Sequence, residues 1–141
     1  MITVNCRTEP KHGERIAKGG EGTRVLLVDD APFVRYALGR LLRKHGFEVC
    51  EATDGREALE RVSEFHPQLV LTDLMMPVMD GFELTRRLQQ RPETANLPVV
   101  AITADATEQA ERSAREAGAV DVITKPVDLP ALLERLQGLG I

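Results

Sequence analysis

Two rhythms of apolar residues alternate along the chain. Short, nearly unbroken apolar runs are followed by longer stretches in which apolar positions recur every three or four residues. The first rhythm suits a strand buried on both faces and the second a helix with one buried face. RVLLV (24–28) is the first strand; Val34, Leu38, Leu41, Leu42 and His45 then fall at helical spacing until Gly46. FEVCEA (47–52) is the second strand. Asp54 and Glu57 read as an N-cap with an acidic residue at N3, and Ala58, Leu59, Val62 and Phe65 form the face of the helix they open. LVLT (69–72) runs into Asp73, and after Asp80-Gly81 a third helix turns Leu84 and Leu88 inward. LPVVAIT (97–103) is the fourth strand. The helix after it, with Asp105 and Glu108 as its capping pair, has a face of alanines only: Ala106, Ala110, Ala114 and Ala117. Such a face buries little area, so this helix is expected to be loosely held. Gly118 is a suitable residue to end it. AVDVIT (119–124) leads to Lys125-Pro126. Asp128 then caps a last helix with Leu129, Leu132, Leu133 and Leu136 inward.

Five repeats of strand then helix with short links predict an α/β fold: a parallel sheet covered by helices on both faces, with right-handed crossovers. Residues 1–23 lack periodicity and contain Gly19, Gly20 and Gly22, so they are expected to form a flexible arm, with one domain over 24–141.

In such a sheet the strand ends lie side by side, and ligand sites form just beyond them. The first strand delivers Asp29 and Asp30, the third Asp73, the fourth Thr103 and the fifth Lys125. Crowded carboxylates raise a pKa or recruit a cation. Hard oxygen donors suit Mg²⁺, which shares its sites with phosphate. A carboxylate is also a nucleophile toward phosphorus, giving an acyl phosphate, and the charge on the transferred group would be neutralised by Mg²⁺ and Lys125. Thr103 could donate a hydrogen bond to a phosphoryl oxygen. Taken singly, Asp30 and Asp80 would serve as helix caps, Thr103 as a strand-end hydroxyl and Lys125 as a solvated lysine. Their joint occurrence at successive strand ends favours one reaction.

The composition narrows the partners. A net charge of −4 over 141 residues, without a basic cluster, argues against direct nucleic-acid binding. No apolar run approaches the roughly 20 residues that span a bilayer, and no apolar signal core opens the chain, so a cytoplasmic location is expected. Cys6 and Cys50 have no metal-ligand spacing and read as reduced thiols.

With Asp29-Asp30, DLMMPVMDG (73–81), Thr103-Ala104 and Lys125-Pro126 in this order and spacing, the chain resembles the receiver domain of two-component response regulators over about residues 24–136. The resemblance implies a doubly wound, flavodoxin-like (βα)₅ fold with strand order 2-1-3-4-5. It implies that Asp73 takes a phosphoryl group from a histidine kinase or histidine phosphotransfer protein. Asp29, Asp30, Asp73 and the backbone carbonyl of Met75 would hold Mg²⁺, Thr103 would follow the phosphoryl group and Lys125 would pair with it, ahead of a cis Lys125-Pro126 bond. It further implies self-catalysed phosphorylation and dephosphorylation in a switch rather than a metabolic enzyme. The output partner, or a second copy of the chain, would dock on the fourth helix, fifth strand and fifth helix. Met75 and Asp105 occupy positions that tune the acyl-phosphate lifetime in the family. One position departs from the pattern: Val122 stands where the family often carries an aromatic residue that swings inward, so the signal is expected to travel through the loop after Thr103 and the alanine-faced helix. Competing readings are a Mg²⁺-dependent phosphohydrolase with Asp73 as nucleophile, a flavin-binding module, and a receiver cut from a larger hybrid kinase or regulator. The acidic loop after the first strand disfavours the flavin, since it would repel a phosphate.

Overall fold

The computed structural model describes residues 22–141. The expected arm therefore lies outside the described residues except for its last two. Those are tied to the sheet edge, Gly22 N–H donating to Gly46 O at 2.8 Å and Glu48 N–H to Thr23 O at 2.9 Å.

The elements alternate as the hydrophobic rhythms require: β1 (Arg24–Val28), α1 (Pro32–Lys44), β2 (Glu48–Ala52), α2 (Gly55–Phe65), β3 (Leu69–Asp73), α3 (Gly81–Gln90), β4 (Val99–Thr103), α4 (Glu108–Ala117), β5 (Asp121–Thr124) and α5 (Leu129–Gly138). All neighbouring strands are parallel, in the order β2-β1-β3-β4-β5. Because side chains alternate along a strand, each strand serves two cores. Val25, Leu27, Leu69, Leu71, Val100 and Ile102 meet Leu38 and Leu42 of α1 and Leu132 and Leu136 of α5 on one face. Leu26, Val28, Val70 and Val99 meet Ala58, Val62 and Phe65 of α2 and Leu84 and Leu88 of α3 on the other.

The fourth helix is held as lightly as its sequence suggests. It buries only Ala114 and Ala117, and Ala114 joins a small cluster with Leu74, Ala101 and Ala119, flanked by Phe82 and Val122. A buried leucine contributes about 1.5–3 kcal/mol, a single methyl less than half of that, so α4 has a fraction of the anchorage of leucine-faced α5. Polar contacts add to it. Arg115 of α4 and Arg135 of α5 both bind the Asp121 carboxylate at the start of β5, at 3.0 and 2.6 Å. Burial alone would push the Asp121 carboxyl up, but these guanidiniums and the Val122 N–H bring it below the usual range.

Several local expectations are corrected. In α1, Val34 and Leu41 are exposed and Gly39 is buried beside Leu38 and Leu42. The N-cap of α4 is Thr107, whose hydroxyl accepts from Ala110 N–H, while Asp105, two residues earlier, accepts from Thr107 N–H. Ala106 lies before the helix. Asp128 holds the N-cap place of α5 without a side-chain bond. Asp54 and Asp80 do cap α2 and α3, each accepting the N–H of the glutamate at N3 at 2.9 Å. Cys50 is buried on β2 and is not a free thiol, contrary to expectation; Cys6 lies outside the described residues.

The loop between β3 and α3 contains a strained residue. Val78 sits at φ 69° and is exposed. A β-branched residue in the left-handed region costs about 1–2 kcal/mol. Val78→Asn is therefore expected to stabilise the protein by about 1 kcal/mol, because Asn tolerates this region. Chemical denaturation would check it, and an unchanged or lower midpoint would count against the strain.

Candidate functional site

The strand ends bring the predicted residues to one edge of the sheet. Asp29 follows β1, Asp73 ends β3, Thr103 ends β4 and Lys125 follows β5. Asp29, Asp73 and Thr103 are buried, while Asp30 is exposed at the rim. The Lys125 ammonium donates to Asp29 Oδ2 at 3.1 Å and to Asp73 Oδ2 at 3.3 Å. Its own backbone is fixed by a bond from Lys125 N–H to Thr103 O at 2.7 Å, and the Lys125-Pro126 bond is cis.

Each carboxylate is aimed by local backbone. Asp29 Oδ1 accepts the Ala31 N–H at 2.9 Å, so Asp29 rather than Asp30 receives a bond from the entry to α1. Asp73 Oδ1 faces Met75 N–H at 3.4 Å. Met75 is otherwise exposed at the mouth, where a hard cation would take its carbonyl oxygen in preference to its thioether. Carboxylate oxygens of Asp29, Asp30 and Asp73 all lie within 4.8 Å of one another, so this donor set fits a hard divalent cation. Thr103 Oγ1 accepts the Asp105 N–H at 3.0 Å. Asp105 itself is turned toward Thr107, so its carboxylate belongs to the turn before α4.

The charges are coupled. Burial pushes the Asp73 carboxyl above its ordinary value, and the neighbouring Asp29 carboxylate adds to this; Lys125 and the Met75 N–H offset only part. Burial pulls the Lys125 ammonium down, but its bond to Asp29 and the charges of Asp29 and Asp73 more than reverse this. Lys125 thus holds together two carboxylates that repel each other, which is the electrostatic demand a bound cation would also meet.

The sequence matches the response regulator receiver domain family over residues 25–137. The chain belongs to this family. Receiver domains are signalling switches, and the relatives that match this one carry diverse names. It is 36% identical over 116 residues to protein PilH of Pseudomonas aeruginosa, covering 82% of this chain and 96% of PilH. It is 40% identical over 109 residues to a gliding motility regulatory protein of Myxococcus xanthus, but spans 14% of that longer protein. Among solved structures, a CheY in a CheX–CheY–BeF₃–Mg²⁺ complex from Borrelia burgdorferi aligns with TM-score 0.79 at 29% identity, over 86% of this chain and 92% of that one. Among the described residues no helix is long and apolar enough to cross a membrane.

Sequence reasoning passed over Arg35 and Glu51. Arg35 reaches the Asp29 carbonyl at 2.8 Å and Glu51 at 3.1 Å. FEVCEA carries two glutamates, and Glu51, deep in the strand next to Cys50 and Ala52, was the available signal.

Proposed function

We propose that this receiver domain is a cytoplasmic switch in which Asp73 accepts a phosphoryl group from a histidine kinase or histidine phosphotransfer protein. The observation that carries this reading is the convergence of Asp29, Asp30, Asp73 and Lys125, with carboxylate oxygens within 4.8 Å and the ammonium between two of them. Asp29, Asp30, Asp73 and the Met75 carbonyl would hold Mg²⁺, which supplies charge neutralisation for the phosphoryl oxygens when bound. An Asp73 carboxylate oxygen attacks phosphorus as the bond to the donor breaks, leaving an acyl phosphate. Lys125, at the end of its reach from β5, pairs with the new charge. Hydrolysis by water reverses the modification without another enzyme. Beryllofluoride and Mg²⁺ in the Borrelia burgdorferi complex are compatible with the same site use here.

Intact mass after incubation with acetyl phosphate and Mg²⁺ tests this. A gain of one phosphoryl group is expected, lost in Asp73→Asn and in EDTA. No gain from either acetyl phosphate or a phosphorylated histidine donor would overturn the reading. The open mouth, with Asp30 and Met75 exposed, favours a protein donor over a phosphohydrolase that must enclose a small ester.

Output follows from α4. When Thr103 turns toward the phosphoryl group, Asp105 N–H loses its partner at the start of the loop that carries α4. Partners would read the α4-β5-α5 face, as would a second copy of the chain. Hydrogen exchange in 105–117 is expected to change by at least about threefold on adding beryllofluoride with Mg²⁺, while α5 stays within error. Unchanged exchange there would rule out this route.

A further inference from the structure

Among the described residues, Glu51 is the one buried carboxylate outside the candidate site. It lies on the edge strand β2 against Gly39 of α1, where an added Cβ would come 3.1 Å from Glu51 Oε2. Two guanidiniums hold it: Arg35 Nε donates to Oε1 and Arg43 Nη1 to Oε2, both at 3.1 Å. Arg43 spends its other arm on Val49 O within the same strand, which is enough to fasten α1 to the sheet. Arg35 does something else. Its Nη1 donates to Asp29 O at 2.8 Å, the carbonyl of the peptide that joins Asp29 to Asp30.

That peptide plane governs where Asp30 points. Asp29 is fixed at every polar atom: its N–H donates to Ala52 O at 3.1 Å, Oδ1 accepts from Ala31 N–H and Oδ2 from Lys125. The Asp30 carboxylate, by contrast, is exposed and has no hydrogen-bond partner among the described residues. Its place beside Asp29 and Asp73 comes from the backbone alone, and Arg35 grips that backbone. A guanidinium this close would ordinarily repel a divalent cation. Glu51, shared with Arg43, supplies an opposite charge that offsets part of that field.

We propose that Arg35, paired with Glu51, is a positioning residue for the cation site: it sets the Asp29–Asp30 peptide so that the Asp30 carboxylate stands preformed toward the ion. This rests on reading the acidic cluster as a divalent-cation site. Residues that orient metal ligands typically govern affinity by a factor of about ten or more. Lysine is not expected to replace Arg35, because the guanidinium presents Nε to Glu51 and Nη1 to the Asp29 carbonyl as a rigid fork, a geometry that a compact ammonium on a flexible stem does not reproduce.

Calorimetric titration of the full chain with Mg²⁺ tests the proposal, with thermal melting beside it. Arg35→Gln is expected to weaken Mg²⁺ binding about tenfold, and Arg35→Lys not to restore it. Phosphorylation by acetyl phosphate should fall by the same factor at low Mg²⁺ and recover at saturating Mg²⁺. Arg35→Gln combined with Glu51→Gln removes the buried charge that would otherwise be left short of a partner, and should show the same weakened binding in a folded protein. Since Arg35 acts through Asp30, adding Arg35→Gln to Asp30→Asn should cost nothing further. A folded Arg35→Gln or double variant with unchanged Mg²⁺ affinity, or full additivity with Asp30→Asn, would overturn the proposal while leaving the cation site standing. If Asp30→Asn and Asp73→Asn themselves left Mg²⁺ binding unchanged, the cation-site reading would fall and the proposal with it.

Discussion

Gly81→Ala is expected to cost about 3 kcal/mol, at the upper end of overpacking losses, and to lower the melting temperature by roughly 10 °C. Gly81 opens α3 directly under the end of β3. A Cβ there would intrude on the carbonyl oxygen of Asp73 and lie 2.9 Å from the Leu74 Cα and 3.1 Å from the Asp73 carbonyl carbon. All three are backbone atoms, so no side chain can swing away. The only relief is to push β3 and α3 apart, which strains the Gly81 N–H to Leu74 O bond of 2.9 Å and turns Asp73 off its axis. The variant should therefore lose Mg²⁺ binding along with stability. Gly138→Ala is the matched control: nothing lies within 4 Å of its Cβ, and it should be neutral or mildly stabilising. Equal melting of the two variants would show that the close approach is not rigid.

Lys125→Met is expected to destabilise the metal-free protein by about 3 kcal/mol at neutral pH, the lower end for breaking a buried ion pair. Among the described residues, the ammonium is the one cation bonded to both Asp29 and Asp73, whose side chains are mostly buried. Without it the Asp73 carboxyl, already raised by burial and by Asp29, rises further. The sign of the pH dependence follows from linkage. Below the unfolded pKa of a carboxyl, both states are protonated and there is no penalty. As pH rises through the interval up to the folded pKa, the unfolded state ionises first and stability falls. The deficit of Lys125→Met should thus shrink toward acid pH. For the wild type, the raised pKa of Lys125 gives the same sign of slope at higher pH: its contribution is complete below the unfolded lysine value and is lost as pH rises through the folded one, in the alkaline range. Millimolar Mg²⁺ should return much of the lost stability, and stabilise Lys125→Met more than the wild type, since it meets the same excess of negative charge. Melting with and without Mg²⁺ from acid to neutral pH checks this; an equal Mg²⁺ effect in both proteins would refute the idea that the ammonium and the cation share one task.

Much of this was legible in the residues because parallel α/β sheets turn order along the chain into position in space. Each apolar run ends at the same edge, so Asp29, Asp73, Thr103 and Lys125 could be placed together although Lys125 and Asp29 are 96 positions apart. Capping by Asp54 and Asp80 was readable for a simpler reason, that both partners lie within one turn. What failed were choices between near neighbours. Asp105 and Thr107 are both good caps, and the backbone path out of β4 selected Thr107. In α1, periodicity favoured Val34 and Leu41, but the helix buries Leu38, Gly39 and Leu42 instead, with Arg35 and Arg43 on the same side paired to Glu51 of β2. Ion pairs between a helix and a strand 8 and 16 positions away leave no spacing signature.

The Asp121 carboxylate, shared by Arg115 and Arg135, gives the two flanking helices unequal footing. α5 adds that bond to a row of buried leucines, whereas α4 adds it to two alanine methyls. Displacing α4 therefore surrenders mainly a partly exposed ion pair, and salt screens charges over distances of about 8 Å at physiological ionic strength. The seating of this helix is consequently set in part by the surrounding electrolyte, so raising the ionic strength should loosen α4 more than leucine-held α5.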